Sequence, residues 1–172
     1  LSLVLSMFLY LTNSGHIHAQ IFDPFEIRYQ NAQKGGIRFL SNVAISCSGA
    51  GSCANGQAQM PPSGGSSNED FNMSYIDFDA TPTTFMSSSD SLNLENCSEI
   101  LWAGLYWSAE ISTGTQGYSN RDQVKLAVNS DAYIDLVADE TLDVMGISHP
   151  SYHCFKDITT IVQNGGIKAR FT

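Results

Sequence analysis

Basic side chains are scarce in this sequence. Its 172 residues include eight Lys and Arg against 17 Asp and Glu, which gives a formal net charge of −9. Nucleic-acid binding needs a patch of Lys and Arg that neutralises phosphates, and an acidic surface is repelled by anionic lipid. The composition therefore argues against a nucleic-acid partner and against a peripheral membrane role.

Apolar runs of membrane-spanning length are also missing. Residues 1–11 are uncharged and mostly apolar, but a helix of that length rises only about 16 Å, half the roughly 30 Å hydrocarbon thickness. The run predicts the hydrophobic region of a signal peptide that covers residues 1–19, is incomplete at its start and is cleaved after Ala19. A buried N-terminal helix or strand is the alternative. We expect an exported chain with no membrane insertion after the signal is removed.

Cysteines are few, and export makes their pairing informative because disulfides persist in oxidising compartments. Cys47 and Cys53 flank the flexible segment Ser-Gly-Ala-Gly-Ser, which can close a tight loop. We predict a Cys47–Cys53 disulfide, which leaves Cys97 to pair with Cys154 as a long-range bridge.

Zinc binding is the competing interpretation of these cysteines. The sequence has no C-x2-C pair, which most structural zinc sites use. His149 and His153 are four residues apart, but Pro150 opposes the helix that would bring them together. A disulfide framework is therefore favoured.

A sustained 3.6-residue apolar period is absent after Gln20, and short β-prone runs are separated by Gly, Ser, Asn and Pro. This pattern predicts an all-β fold, an antiparallel β-sandwich of jelly-roll type, as a single domain over residues 20–172. Because the chain reaches Thr172 inside a predicted strand, we expect the C-terminal part of the domain to lie beyond it. The predicted strands are 25–29, 36–46, 72–78, 91–94, 100–109, 123–128, 133–137, 152–157 with a helical turn at 159–162, and 167–171.

Two of these regions carry further expectations. Both alternating faces of residues 100–107 are apolar, so this strand is expected to be central and covered on both sides. Residues 48–70 are rich in Gly, Ser and Pro and have almost no large apolar side chain, so they predict a surface loop.

Asp77, Asp79 and Thr81 place oxygen-bearing side chains at alternate positions, and therefore on one side of a strand or strand end. Calcium takes six to eight oxygen ligands, so these three residues are a candidate calcium site, and calcium is the one candidate cofactor. Exposed strand carboxylates without a ligand are the alternative, since no Gly-turn-Glu of the EF-hand type follows.

Catalytic sequence motifs are absent: there is no Gly-x-Ser-x-Gly elbow, no phosphate-binding Gly loop and no HExxH. We therefore predict a noncatalytic module with no catalytic residues. A carbohydrate-active hydrolase stays open, because its paired carboxylates are close in space rather than in sequence. Trp102, Tyr106 and Trp107 could form a platform that stacks on sugars, although aromatic residues of a β-strand more often belong to the core.

Several segments carry a family resemblance, of which Trp-Ala-Gly-Leu-Tyr-Trp is the most specific. The chain resembles the N-terminal domain of large exported surface proteins of the Bacteroidetes, which typically carry a C-terminal sorting domain for type IX secretion and are often labelled gliding-motility-associated or adhesin-like. The matching segments are AQ at 19–20, KGGI at 34–37, LSN at 40–42, YIDFD at 75–79 with TF at 84–85 and SSS at 87–89, ILWAGLYW at 100–107, VKL at 124–126 and YHCFKDIT at 152–159.

The resemblance implies type IX secretion, contact with that secretion machinery, and display or release at the cell surface. It implies no catalytic residues. Asp90-Ser91-Leu92 is similar to the O-glycosylation pattern of that phylum, which makes Ser91 a candidate glycosylation site. No sorting domain appears before Thr172, which we expect of a truncated chain, and Ala80-Thr81 stands where relatives often extend the acidic series.

We predict an adhesin-like module at the surface of an exported protein, with polysaccharide or surface glycans as candidate partners. The alternatives are a structural spacer with no ligand of its own and the hydrolase named above.

Overall fold

The structure is a computed structural model that describes residues 26–47, 73–144 and 150–172. The chain divides into two compact units, Leu1–Ala32 and Gln33–Thr172. Residues 26–32, the described part of the first unit, have no regular secondary structure, and Asn31 there donates an amide N–H to the Tyr29 hydroxyl at 2.8 Å. The predicted signal peptide and the predicted loop at 48–70 lie outside the described residues.

The second unit is built from short antiparallel strands, which form small sheets of order β1-β2, β3-β9, β4-β8-β7 and β5-β6. The predicted antiparallel β fold is confirmed at this level, whereas the described sheets are unclosed two- and three-stranded units. The elements are β1 (Ile45–Cys47), β2 (Met73–Tyr75), β3 (Asp90–Ser91), β4 (Gly104–Glu110), a 3₁₀ turn (Tyr118–Asn120), β5 (Gln123–Leu126), β6 (Ile134–Val137), β7 (Glu140–Val144), β8 (Ser151–Asp157), α1 (Thr159–Gly165) and β9 (Arg170–Phe171).

The hydrophobic core lies where α1 meets strands β3, β5 and β6. Its buried members are Leu92, Leu126, Leu136, Ile158 and Val162. Leu126 and Leu136 come from β5 and β6. Ile158, the N-cap residue before α1, and Val162, in the middle of α1, are about one helical turn apart, so both face the sheets. Among the described residues, no helix has the length and apolar character that crossing a bilayer requires.

The three-stranded sheet corrects the prediction for residues 100–107. Among the described strands, β8 is central to this sheet, and β4 lies at an edge and pairs with β8 alone. Tyr106 on this strand is 58% exposed. The strand is therefore covered on one side, and the expectation of a central strand covered on both sides is wrong.

Arg121 makes the polar contacts on the covered face of this sheet, opposite the face that exposes Tyr106. Its guanidinium donates to both oxygens of Asp143, at 2.8 and 2.6 Å, and to the carbonyl oxygen of Tyr118 at 3.0 Å. It also lies 4.2 Å from the centre of the Tyr118 ring. The hydrogen bonds to Asp143 raise the pKa of Arg121 and lower the pKa of the Asp143 carboxyl, so the pair stays charged.

The predicted Cys97–Cys154 disulfide is wrong, because both thiols are free. Cys154 is 2% exposed on β8, where its Sγ lies 3.4 Å from Thr141 Oγ1 and donates to the carbonyl of Arg121 at 3.5 Å. Burial raises the pKa of this thiol. Cys97 is exposed, and thus the two cysteines occupy opposite environments. Cys47 is disulfide-bonded, and its predicted partner, Cys53, lies outside the described residues.

The two free thiols should react at different rates with a thiol reagent. Without reductant, Cys97 should be labelled at once in the native chain and Cys154 only on unfolding, because burial protects it and keeps it protonated. Peptide mapping by mass spectrometry checks the assignment, and Cys97→Ser should remove the fast reaction alone. A Cys97–Cys154 cross-linked peptide would contradict the structure.

Gly165, the last residue of α1, is required by close packing. A Cβ added there would approach Val128 Cγ1 to 2.6 Å, so Gly165→Ala should lower the free energy of unfolding by about 1–3 kcal/mol through overpacking. Gly36→Ala is the matched control, since a Cβ at Gly36 meets nothing within 4 Å. Urea unfolding measures both variants, and equal stability would contradict the packing described.

Candidate functional site

The β4-β8-β7 sheet presents one face to solvent, which we call the outer face. Side chains alternate between the two faces of a strand, and the register aligns Tyr106, Phe155 and Glu140 on this face. Trp107, Cys154 and Thr141 are aligned on the opposite, inner face. The same alternation gives the outer face Gly104, Ser108, Glu110, Ser151, His153, Asp157, Leu142 and Val144 as well.

Gly104 makes room for an aromatic cluster on the outer face. A Cβ at this position would meet the Trp102 ring at 2.6 Å and the Phe155 ring at 2.8 Å. The two rings stack there, with centroids 6.2 Å apart and planes 19° apart. The absence of a side chain at Gly104 therefore lets the Trp102 indole lie across the strand.

Tyr106 completes the cluster from the next outer position of β4. Its ring centroid is 5.0 Å from that of Phe155, with the planes tilted by 43°. Phe155 is 9% exposed beneath its neighbours, whereas Tyr106 is 58% exposed. Phe155 is thus the buried base of the cluster, and Tyr106 is the ring most accessible to a ligand.

A carboxylate borders the cluster. Asp157 lies opposite Gly104 in the register, and its Oδ1 accepts the backbone N–H of Thr159 at 2.9 Å. The hydrogen bonds from Thr159, with a smaller contribution from Trp102, lower the pKa of Asp157. The edge of the aromatic cluster therefore carries a negative charge at neutral pH.

The sequence had grouped Trp102, Tyr106 and Trp107 as one platform, and the structure separates them. Trp107 lies on the inner face, where its Nε1 donates to the carbonyl of Arg121 at 2.9 Å. Adjacent residues of a strand point to opposite faces, so the sequence could have predicted that Tyr106 and Trp107 lie on different faces. The contribution of Phe155 could not be predicted, because it depends on the pairing of β4 with β8.

A second polar cluster surrounds the predicted calcium residues. Ser87 is 8% exposed and lies at its centre. Its Oγ accepts the backbone N–H groups of Phe78 at 2.8 Å and Asp79 at 3.1 Å, and lies 2.7 Å from Asp79 Oδ1 and 3.2 Å from Asp77 Oδ1. The Asp77 carboxylate also accepts the N–H of Ala80, whose φ of 49° makes the turn. Ser87 and Asp77 together hold the turn that follows β2.

Asp79 accepts hydrogen bonds on both oxygens. Oδ2 receives the Tyr133 hydroxyl at 2.6 Å, and Oδ1 receives the hydroxyls of Ser87 and Thr84, the latter at 3.2 Å, and the N–H of Thr81 at 3.4 Å. The bond from Tyr133, followed by that from Ser87, holds the pKa of Asp79 far below its ordinary value. Burial and the same bond raise the pKa of Tyr133 to about 12.

These contacts bear on the calcium prediction without deciding it. Asp77, Asp79 and Thr81 do lie in one turn, but protein donors satisfy both oxygens of Asp79. Over the described ranges, no three His, Cys, Asp or Glu side chains come together as a metal-binding group. A calcium ion would have to displace hydroxyl donors, and calcium at this turn stays a prediction.

Ser91, the candidate glycosylation residue, is exposed in β3 and lies opposite Arg170 of β9. Glycosylation there also stays a prediction.

Comparison with known proteins found no match to any family model, to any curated protein or to any solved structure.

Tyr133→Phe should show by titration how the Tyr133 hydroxyl affects the pKa of Asp79. Removing the donor should raise the pKa of Asp79 toward its ordinary 3.8, as measured by NMR titration of the carboxyl carbon. A carboxyl with a depressed folded-state pKa contributes stability that is full above the unfolded pKa and is lost as the pH falls through the folded one. The variant should therefore lose less stability than the parent below pH 3.8.

The dependence of the free energy of unfolding on alkaline pH should change as well in Tyr133→Phe. Because the folded-state pKa of Tyr133 is raised from 10.0 to about 12, its contribution is present below pH 10 and is lost as the pH rises through 12, and the variant lacks this loss. Tyr118→Phe is the control and should leave the Asp79 titration unchanged. An unchanged Asp79 titration in Tyr133→Phe would contradict the hydrogen bond.

Proposed function

We propose that this chain is a noncatalytic, adhesin-like module of an exported surface protein, delivered by type IX secretion. Its small antiparallel sheets would then be layers of a β-sandwich, and the outer face of the β4-β8-β7 sheet would contact the ligand. The observation that carries the proposal is the exposed aromatic cluster. Tyr106 is 58% exposed beside the stacked rings of Trp102 and Phe155, and aromatic surface grouped at solvent is typical of binding sites.

The rigidity of the cluster supports a binding role. Phe155 is anchored in the central strand, and Trp102 is held over Gly104. Rings held in place before a ligand arrives lose little conformational entropy on binding. Polar side chains on the same face, such as Ser108 and His153, provide hydrogen-bonding groups around the rings.

Four carboxylates with lowered pKa values are suited to accepting hydrogen bonds rather than to donating a proton. A glycosidase needs one carboxyl whose pKa is raised, so that it can donate a proton. Hydrogen bonds lower the pKa of Asp79, Asp139, Asp143 and Asp157. These four carboxylates stay ionised at neutral pH, a state suited to accepting hydrogen bonds.

A binding screen with the full chain tests the proposal. The chain should bind saturably to at least one member of a panel of neutral, anionic and cationic polysaccharides and extracellular matrix proteins, as measured by biolayer interferometry. Tyr106→Ala should weaken that binding, whereas Tyr75→Ala, a tyrosine that is likewise 58% exposed on β2, should not. Absence of binding across the panel would favour the structural-spacer alternative.

Surface display is tested separately. In the cells that make the protein, an external protease should remove the chain while a cytosolic marker survives. Disruption of type IX secretion should make the chain protease-resistant by retaining it inside. Resistance in the undisrupted cells would contradict export to the surface.

A further inference from the structure

We infer that the outer face of the β4-β8-β7 sheet binds an uncharged polysaccharide, with Tyr106 and Trp102 stacked on neighbouring sugar units. This inference rests on the proposed binding function and names the ligand class for the same site. The two rings occupy successive outer positions along β4, since Trp102 lies over Gly104 and Tyr106 follows two residues later. Two residues of a strand advance about 7 Å, a spacing that lets one sugar chain contact both rings.

The composition of the outer face argues against a second packed sheet as its occupant. A dry interface between packed sheets needs apolar side chains at most inward positions. Polar or charged side chains instead fill six of the outer positions, which the strand alternation identifies as Ser108, Glu110, Glu140, Ser151, His153 and Asp157. A ligand covered with hydroxyl groups matches such a surface, because each polar side chain can exchange water for a hydroxyl.

The charge of the outer face indicates which class of polysaccharide it can bind. The outer face has three carboxylate residues, Glu110, Glu140 and Asp157, and its strand positions hold no Lys or Arg. Lys156 points to the other face in the alternation and is paired with Asp139 at 2.5 Å. A polysaccharide of uronic acids or sulfated sugars would bring like charges against these carboxylates, so we exclude it as the ligand.

Asp157 has capacity to accept hydrogen bonds from an uncharged sugar. Each ionised carboxylate has about four lone-pair sites and accepts hydrogen bonds only. Asp157 accepts the Thr159 N–H on one oxygen, beside the aromatic cluster. Sugar hydroxyls can donate to the remaining lone pairs of Asp157 while the apolar C–H face of the sugar ring lies on Tyr106. The carboxylate would thus make the polar contacts and the aromatic ring the apolar ones.

Affinity gel electrophoresis of the full chain tests the ligand class. The gels contain hydroxyethyl cellulose as the neutral probe, polygalacturonate as the anionic probe or chitosan as the cationic probe. Migration should be retarded by the neutral probe and unaffected by polygalacturonate. Tyr106→Ala should weaken binding of the neutral probe by about tenfold, the loss of one aromatic stacking contact, and Tyr106→Phe should retain most of it. Tyr75→Ala is the matched control, and circular dichroism confirms that each variant is folded.

The outcomes separate the two proposals. Retardation by polygalacturonate or by chitosan alone, lost in Tyr106→Ala, would overturn the neutral ligand class while leaving a binding module. Retardation by the neutral probe that Tyr106→Ala and Tyr75→Ala weaken equally would overturn the site. Absence of retardation by the three probes, together with binding to a matrix protein in the earlier screen, would overturn the polysaccharide alone.

Discussion

The contact of the Trp102 indole with Phe155 across Gly104 shapes the aromatic surface that we propose as the binding site. An aromatic side chain two residues before a strand position can lie flat on that position only when the position has no Cβ. Because Gly104 supplies that space, Phe155 is covered, the stack is held against the central strand, and Tyr106 is left as the accessible ring. A larger residue at position 104 would displace the indole and open Phe155 to water.

The inner face of the same sheet explains why the cluster can be rigid. Trp107 donates to the backbone of Arg121, and the Arg121 guanidinium is fixed in turn by both oxygens of Asp143 on β7. Cys154, between Trp107 and Thr141 in the register, is buried as a neutral thiol. Hydrogen bonds and apolar burial thus hold the inner face, while the outer face keeps aromatic surface in contact with water.

Local patterns predicted much of the fold. β5, β6 and β8 fall within the ranges predicted from β-prone runs or begin one residue earlier, and the helical turn after Asp157 became α1. β7 was not among the predicted strands, although Thr141, Leu142 and Val144 are β-prone. The position of β4 at a sheet edge was also missed, since apolar residues on both faces do not distinguish a buried strand from one that exposes aromatic rings to solvent.

The parts of the sites that depend on distant residues could not be predicted. Tyr133 reaches Asp79 across 54 positions of sequence, and no local pattern connects them. The wrong cysteine pair has a similar origin: pairing by elimination assumed that all four thiols are oxidised, whereas the packing of β8 buries Cys154 away from the exposed Cys97. The sequence shows which polar and thiol side chains are present, whereas tertiary packing determines which of them come into contact.

The most direct test of the aromatic cluster is the NMR spectrum of Gly104. Protons that lie over an aromatic ring are shifted upfield, and nuclear Overhauser effects report protons within about 5 Å, so both signals depend on the ring position. We predict an upfield-shifted Hα of Gly104 with Overhauser contacts to the Trp102 indole and the Phe155 ring. An Hα at its random-coil position without those contacts would contradict the account.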